Sequence, residues 1–148
     1  MKLSLPHGGC VAVCDGRKAL FLRNEGDAEV LSLQVETVEE APANDKTAEQ
    51  GTDRPGRLQT AAGPASAVEA TDWHDRAEQA FAQHVAKVLL QLHEADPHRR
   101  FALVAPPRTL AVLRDALGGR LGAALVAERD KDLTRHPVSE IERLLSSN

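Results

Sequence analysis

Three aspartates follow predicted strands and could supply carboxylates to one site. Asp15 comes directly after the apolar segment 11–14, and Asp130 and Asp132 come shortly after the apolar segment 124–127. Carboxylate oxygens are preferred ligands of Mg²⁺, so a cluster of these side chains would suit a small hydrolase or a metal-dependent nuclease. The Asp-Gly pair at the first site is also a typical hairpin turn, and the other two aspartates also fit a charged loop. The sequence leaves both interpretations open.

A second group of candidate residues is basic and suited to phosphate. Asp53, Arg54 and Arg57 surround a Pro-Gly turn in a stretch without apolar periodicity. Arginine can hold a phosphate through two parallel hydrogen bonds, and glycine lets the backbone approach closely. These residues could contact RNA phosphates, or form a solvated loop in which Asp53 pairs with one arginine. Arg108 is a further candidate, because it follows a buried strand at a predicted helix start, where open α/β sheets bind ligands.

The cysteines and histidines predict neither a disulfide nor a metal site. Cys10 and Cys14 lie four residues apart in one predicted strand, so their side chains point to the same face about 13 Å apart. This separation exceeds the ~7 Å limit between the Cα atoms of a disulfide, so we expect two buried free thiols. The six histidines show no ligand spacing. No cofactor is predicted.

Five apolar segments predict the strands that position these residues. The third alternates polar and apolar residues, so it is expected near an edge of the sheet, while segment 101–105 is apolar throughout and is expected near its centre. Residues with 3.6-residue spacing predict three helices: 73–92 after an N-cap at Asp72, then 107–117, then 137–145 with Pro137 at its first position. The five strands are centred near Val11, Leu20, Leu33, Leu103 and Val126.

This order predicts an α/β fold with a mixed five-stranded sheet, in which a β-meander is followed by βα crossovers, and three helices. A chain of 148 residues fits one domain, 1–148. Residues 39–71 are rich in Pro, Gly, Ala and charged residues, so they predict a long loop, either functional or mobile.

The composition is that of a folded and well-solvated protein. Hydrophobic residues make up 42%, charged residues 27% and aromatic residues only 3%, so Leu, Val and Ala must build the core. The net charge of −4 argues against a globally basic nucleic-acid binder but allows a local basic patch. No apolar run approaches the ~20 residues needed to cross a bilayer, and the first residues lack the apolar segment of a secretory signal. The expected location is the cytoplasm, without membrane association.

Four motifs resemble those of the bacterial host attachment protein family. They are EQGTDRPGR at 49–57, EATDWH at 69–74, VAPPRTL at 104–110 and DKDLTRHP at 130–137. The resemblance spans nearly the whole chain. It implies a fold similar to the middle domain of archaeal and eukaryotic peptide-chain release factors and Pelota, which has a ribonuclease H-like arrangement.

The resemblance also adds a candidate for catalysis. In release factors a Gly-Gly-Gln loop before a long helix enters the peptidyl transferase centre, and residues 39–71 occupy the same place here. Gly-Gly-Gln is absent, and Gln50-Gly51 is its nearest counterpart. The resemblance therefore makes Gln50 the candidate for a peptidyl-tRNA hydrolase-like activity, and adds Gln50 and Gly51 to the RNA-contacting residues. Whether the protein is an enzyme is left open.

Three functional hypotheses follow. The first is a cytoplasmic factor that associates with the ribosome or another structured RNA. The second is a non-catalytic protein-interaction or host-attachment factor. The third is a small hydrolase or metal-dependent nuclease that uses Asp15 and Asp130. The sequence does not decide the oligomeric state, or whether an effect on attachment is direct.

Overall fold

Five strands and three α-helices are formed in the described part of the chain. The computed structural model describes the backbone of residues 2–41 and 55–146, and the side chains of residues 2–41 and 75–146. The elements are β1 (Cys10–Cys14), β2 (Lys18–Asn24), β3 (Leu33–Glu40), α1 (Pro55–Ala95), β4 (Phe101–Val104), α2 (Pro107–Leu117), β5 (Leu125–Arg129) and α3 (Val138–Ser146). A short 3-10 helix, Gly122–Ala124, precedes β5.

The strands form one mixed sheet in the order β3-β2-β1-β4-β5. The pairs β1–β2 and β2–β3 are antiparallel, whereas β1–β4 and β4–β5 are parallel. The predicted α/β class, the mixed five-stranded sheet and the edge position of β3 are confirmed. The middle strand is β1, and β4 lies between β1 and β5. β1 and β4 are buried along their whole length, because helices cover both faces of the sheet.

Alternation along β1 divides the core into two apolar clusters. Cys10, Ala12 and Cys14 face α1 and α2 on one side of the sheet. Val11 and Val13 face the other side, where α3 and an N-terminal segment cover them. That segment contributes Leu3 and Leu5, and α3 contributes Ile141 and Leu145, all with at most 3% exposure.

An irregularity in β3 keeps two apolar residues on one face of the sheet. Val35 pairs with Leu22 and Val38 pairs with Leu20, and the register shifts between these pairs so that Glu36 has no partner in the ladder. Residues three apart normally face opposite sides of a strand, but this bulge restores Val38 to the face of Val35. Both valines are nearly half exposed, at 49% and 44%.

The buried amide side chain of Asn24, the last residue of β2, joins three segments of the chain. Asn24 is fully buried, and its Nδ2 donates to the carbonyl oxygens of Leu5 at 2.7 Å and Asp27 at 3.2 Å. Its Oδ1 accepts the backbone N–H groups of Gly26 at 2.9 Å and Ser32 at 3.0 Å. The side chain therefore holds the N-terminal segment, the turn after β2 and the approach to β3 together.

The prediction of a loop over residues 39–71 is wrong at both ends. β3 continues to Glu40, and α1 begins at Pro55, so Asp72 lies inside the helix and does not cap it. Proline and glycine within the stretch indicated a break, since Pro costs about 3 kcal/mol inside a helix. Proline is well tolerated at a first helical position, however, and helix propagation from a packed half is cooperative. Alanine, the strongest helix former, recurs here at positions 61, 62, 65, 67 and 70.

The prediction for the turn after β4 is confirmed. Pro106 is extended and precedes α2, where Pro107 occupies the first turn. Leu110, Leu113 and Leu117 form the buried stripe of α2. Gly118 ends the helix with φ of 55°, and its N–H donates to the carbonyl of Arg114 at 2.9 Å. This left-handed conformation is one that glycine adopts without cost.

Both cysteines are free and buried on the same face of β1, as predicted. Burial raises the pKa of the Cys10 thiol to about 12, an effect that the nearby Arg99 guanidinium only partly offsets. Burial also raises the pKa of Cys14, and the neighbouring Asp15 carboxylate adds to this shift. Very little reactive thiolate therefore exists near neutral pH.

We expect both thiols to react slowly with a thiol reagent in the native protein. In denaturant at the same pH they should react at the rate of free cysteine, because unfolding removes the burial that raises each pKa. A time course with a chromogenic disulfide measures both rates. Rapid labelling of Cys14 in the native state would contradict its burial at the end of β1.

Candidate functional site

The carboxyl ends of β1, β4 and β5 meet at one side of the sheet, because these three strands are parallel. We call this side the carboxyl edge. It comprises the hairpin turn after β1, the start of α2 after β4 and residues 130–136 after β5. Helix α1 passes close above the hairpin: a Cβ atom on Gly16 would lie 2.8 Å from the Cδ of Glu78. Glycine at this turn therefore leaves room for the Glu78 side chain.

Asp15 connects two segments of the carboxyl edge. Its Oδ1 accepts the backbone N–H groups of Arg17 at 2.8 Å and Lys18 at 2.7 Å, which closes the hairpin turn. Its Oδ2 accepts the hydroxyl of Thr134 at 2.6 Å. Thr134 is only 4% exposed, and its hydroxyl oxygen also lies 3.4 Å from Oδ1 of Asp132. The structure thus brings Asp15 and Asp132 to a shared threonine.

The three aspartates, one open interpretation of which was a metal cluster, do not come together as one. Asp130 is exposed, and its charge instead contributes to raising the pKa of Arg114, after the larger effect of the hydrogen bond from Arg114 to Glu128. Among the residues that the structure describes, no group of three or more His, Cys, Asp or Glu side chains could hold a metal ion. The physical reason is that turn N–H groups and the Thr134 hydroxyl already occupy both oxygens of Asp15.

Arg108 lies where the sequence places it, at the start of α2 on the carboxyl edge. Its guanidinium Nη2 pairs with Oδ1 of Asp75 in α1 at 2.8 Å, and the two side chains are 67% and 44% exposed. An ion pair this exposed contributes about 0–1 kcal/mol. Arg108 can therefore exchange Asp75 for another anion at little cost.

Exposed basic side chains come from every segment of the carboxyl edge and from the part of α1 beside it. The hairpin, α1, the start of α2 and the segment after β5 contribute Arg17, Arg76, Arg108, Lys131 and Arg135. The exposed acidic side chains are fewer: Glu40, Asp130 and Asp132. Asp15, Asp75 and Glu78 are less exposed, and the first two are engaged in the contacts above. The fully exposed side chains of the edge are thus more often basic than acidic, on a chain of net charge −4.

The side chains of the other predicted site residues lie outside the described part of the chain. Gln50, Gly51, Asp53 and Arg54 lie outside the described residues. Arg57 belongs to the first turn of α1, so its prediction as a loop residue is wrong, and its side chain is outside the described part. It precedes Asp75 by 18 residues of helix, which is about 27 Å along the axis at about 1.5 Å per residue.

Sequence reasoning missed the two residues that organise this edge. Thr134 links the hairpin to the segment after β5, and Asp75 orients Arg108. Thr134 lies within the motif at 130–137, so the resemblance marked its neighbourhood but not its role. Nothing in the local pattern of α1 pairs Asp75 with a residue 33 positions later.

Comparisons with known proteins identify the family. No helix in the described part of the chain is both long enough and apolar enough to cross a membrane. A search of curated proteins found none that matches the chain. The family described as "Protein required for attachment to host cells" matches residues 10–145, which include all five strands of the sheet. The chain therefore belongs to the family of proteins required for attachment to host cells.

Proposed function

We propose that this protein is a cytoplasmic factor that binds RNA through the carboxyl edge, with the ribosome as the RNA-bearing partner. The observation that carries the proposal is that the segments following the parallel strands β1, β4 and β5 each carry exposed basic side chains at the same side of the sheet. Open α/β sheets commonly bind ligands at this end of their strands. An effect on attachment would then be indirect, through the synthesis of other proteins.

The charge distribution favours binding that is local and sensitive to salt. A net charge of −4 repels a polyanion as a whole, so attraction must come from the exposed basic side chains of the carboxyl edge. Arginine is suited to phosphate because its guanidinium presents paired donors. Each phosphate that a basic residue neutralises releases counterions, which makes affinity fall as salt rises.

The ribosome is proposed from the resemblance to release-factor middle domains. That resemblance covers the order of elements, while Gly-Gly-Gln is absent. We therefore propose association with the ribosome without peptidyl-tRNA hydrolysis.

We expect the combined change of Arg17, Arg108 and Arg135 to alanine to weaken RNA binding by about 10–100-fold at low salt. Three lost phosphate contacts should also reduce the slope of log affinity against log salt by about 2. Fluorescence anisotropy with a labelled RNA and co-sedimentation with bacterial ribosomes, each over a salt series, measure both effects. The melting temperature should change little, because exposed charges contribute little to stability.

Arg23→Ala is the matched control for Arg108→Ala alone, because each removes one positive charge. Arg23 is also partly exposed and pairs with Glu25 at 3.1 Å, but it lies toward the opposite edge of the sheet. Equal loss of binding in the control would assign the effect to net charge and not to the carboxyl edge. If the unaltered protein shows no salt-sensitive association with RNA or ribosomes, the proposal is wrong.

A non-catalytic protein-interaction function is the second candidate. It is favoured by Val35 and Val38, two apolar side chains on an edge strand that are 49% and 44% exposed. The double variant Val35→Ser and Val38→Ser distinguishes the protein-interaction function from the RNA-binding function. It should leave RNA binding intact while abolishing capture of a protein partner.

A further inference from the structure

A carboxylate from α1 already occupies Arg108 in the free protein. Nη2 of Arg108 lies 2.8 Å from Oδ1 of Asp75. The first turn of α2 contains no acidic residue, and Pro106 provides no side-chain cap, so the anion beside this turn comes from another helix. A carboxylate makes the same kind of charge-assisted contact with arginine as a phosphate does. Asp75 thus takes the place at Arg108 that we assign to a phosphate.

The ion pair between Arg108 and Asp75 differs from an ion pair that supports the core. Arg99 donates from Nη1 and Nη2 to the two carboxylate oxygens of Glu36, at 3.3 and 2.5 Å, and its side chain is only 8% exposed. Separating that pair would leave a charge in a buried site. The side chains of Arg108 and Asp75 are 67% and 44% exposed, so water can solvate both when they separate. The partner of Arg108 is therefore replaceable without disturbing the core.

Helix α1 brings a second carboxylate to the carboxyl edge. Glu78 follows Asp75 by three residues, which places both side chains on one face of the helix. The Glu78 carboxyl group lies beside Gly16 of the hairpin, whereas Asp75 pairs with the start of α2. Both residues lower the positive potential of the edge, but Asp75 is the one that also occupies an arginine.

An RNA phosphate that contacts Arg108 must first displace Asp75. Binding then loses the favourable interaction of the ion pair, and the displaced carboxylate remains on α1, close to the incoming phosphate. Like charges at short range repel each other. Both effects weaken binding, and both disappear when the side chain at position 75 carries no charge.

We infer that Asp75 is an autoinhibitory residue, whose carboxylate competes with RNA phosphate for Arg108. This inference rests on the proposed function and adds how the same site is regulated. The structure represents the inhibited state, in which the ion pair joins α1 to the start of α2. RNA binding converts it to a state in which this ion pair is broken.

The substitution Asp75→Asn tests the inference, because it removes the competing charge and keeps the size of the side chain. We expect it to tighten binding of a labelled RNA hairpin by about three- to fivefold at low salt, the range that an exposed ion pair allows. In an Arg108→Ala background the same substitution should change the affinity by less than about twofold, because the contested arginine is gone. Fluorescence anisotropy of the four full-length proteins completes this double-mutant cycle, and thermal melts verify that each is folded.

Glu78→Gln is the matched control, since it removes one negative charge from the same face of α1 and leaves the ion pair in place. It should tighten binding by less than about twofold, whether or not Arg108 is present. Equal tightening by Glu78→Gln and Asp75→Asn would overturn the inference, because net charge would then explain the effect. Unchanged or weaker binding by Asp75→Asn, or tightening that persists without Arg108, would also overturn it while leaving RNA binding in place. Absence of binding by every protein would overturn both this inference and the proposed function.

Discussion

Replacing Val104 with aspartate is expected to abolish folding. Val104 is fully buried in β4, where it packs in the cluster that α3 and the N-terminal segment cover. β4 has strands on both sides, so the carboxyl group cannot reach water without separating layers of the core. A buried group of this kind costs several kcal/mol, which is of the order of the whole free energy of unfolding. Soluble yield and a thermal melt followed by circular dichroism measure the result.

Val126→Asp provides the matched control for this experiment. It places the same new side chain on the neighbouring strand β5, at a position that is 43% exposed. The control should fold, with a change in the free energy of unfolding of about 1 kcal/mol or less. A Val104→Asp protein that melts cooperatively near the temperature of the control would show that β4 is not an interior strand.

Changing Asn24 to alanine should give the second large effect. The substitution leaves the N–H groups of Gly26 and Ser32 and the carbonyl of Leu5 without their partner in a buried site. Leaving such groups unsatisfied should lower the free energy of unfolding by about 2–4 kcal/mol. For a chain of this size the melting temperature should fall by roughly 5–15 °C.

Gln34→Ala is the control, because Gln34 is an exposed amide on β3. Its loss should change the melting temperature by no more than about 2 °C. Similar melting temperatures for the two variants would mean that the Asn24 contacts contribute no more than a surface amide does.

The strands could be predicted because their residues carry a local signal. Alternation in β3, the continuous apolar run in β4 and the Asp-Gly turn after β1 each depend on neighbours in sequence. The central position of β1 had no such signal, since strand order depends on pairing between distant segments. Likewise, Leu3 and Leu5 precede every regular element and enter the core only because α3 and β2 lie beside them.

The start of α1 could not be predicted, because cooperative extension from the packed half of the helix outweighs the cost of Gly and Pro inside it. Gly63 and Pro64 are unfavourable inside a helix, yet the helix continues through both. At the carboxyl edge, the position of Arg108 could be predicted from the end of a buried strand. Its partner Asp75 and the link from Thr134 to Asp15 could not, because each joins residues that only the tertiary fold brings together.

The extra residue in β3 also affects the tendency of the protein to aggregate at high concentration. An exposed edge strand with apolar side chains can recruit further strands and so begin a fibril. A regular incoming strand changes face at every residue, so it cannot match both Val35 and Val38, which share a face across the unpaired Glu36. The bulge therefore limits how far a foreign strand can extend along this edge, and it supplies a barrier to aggregation that the charge of the chain alone would not provide.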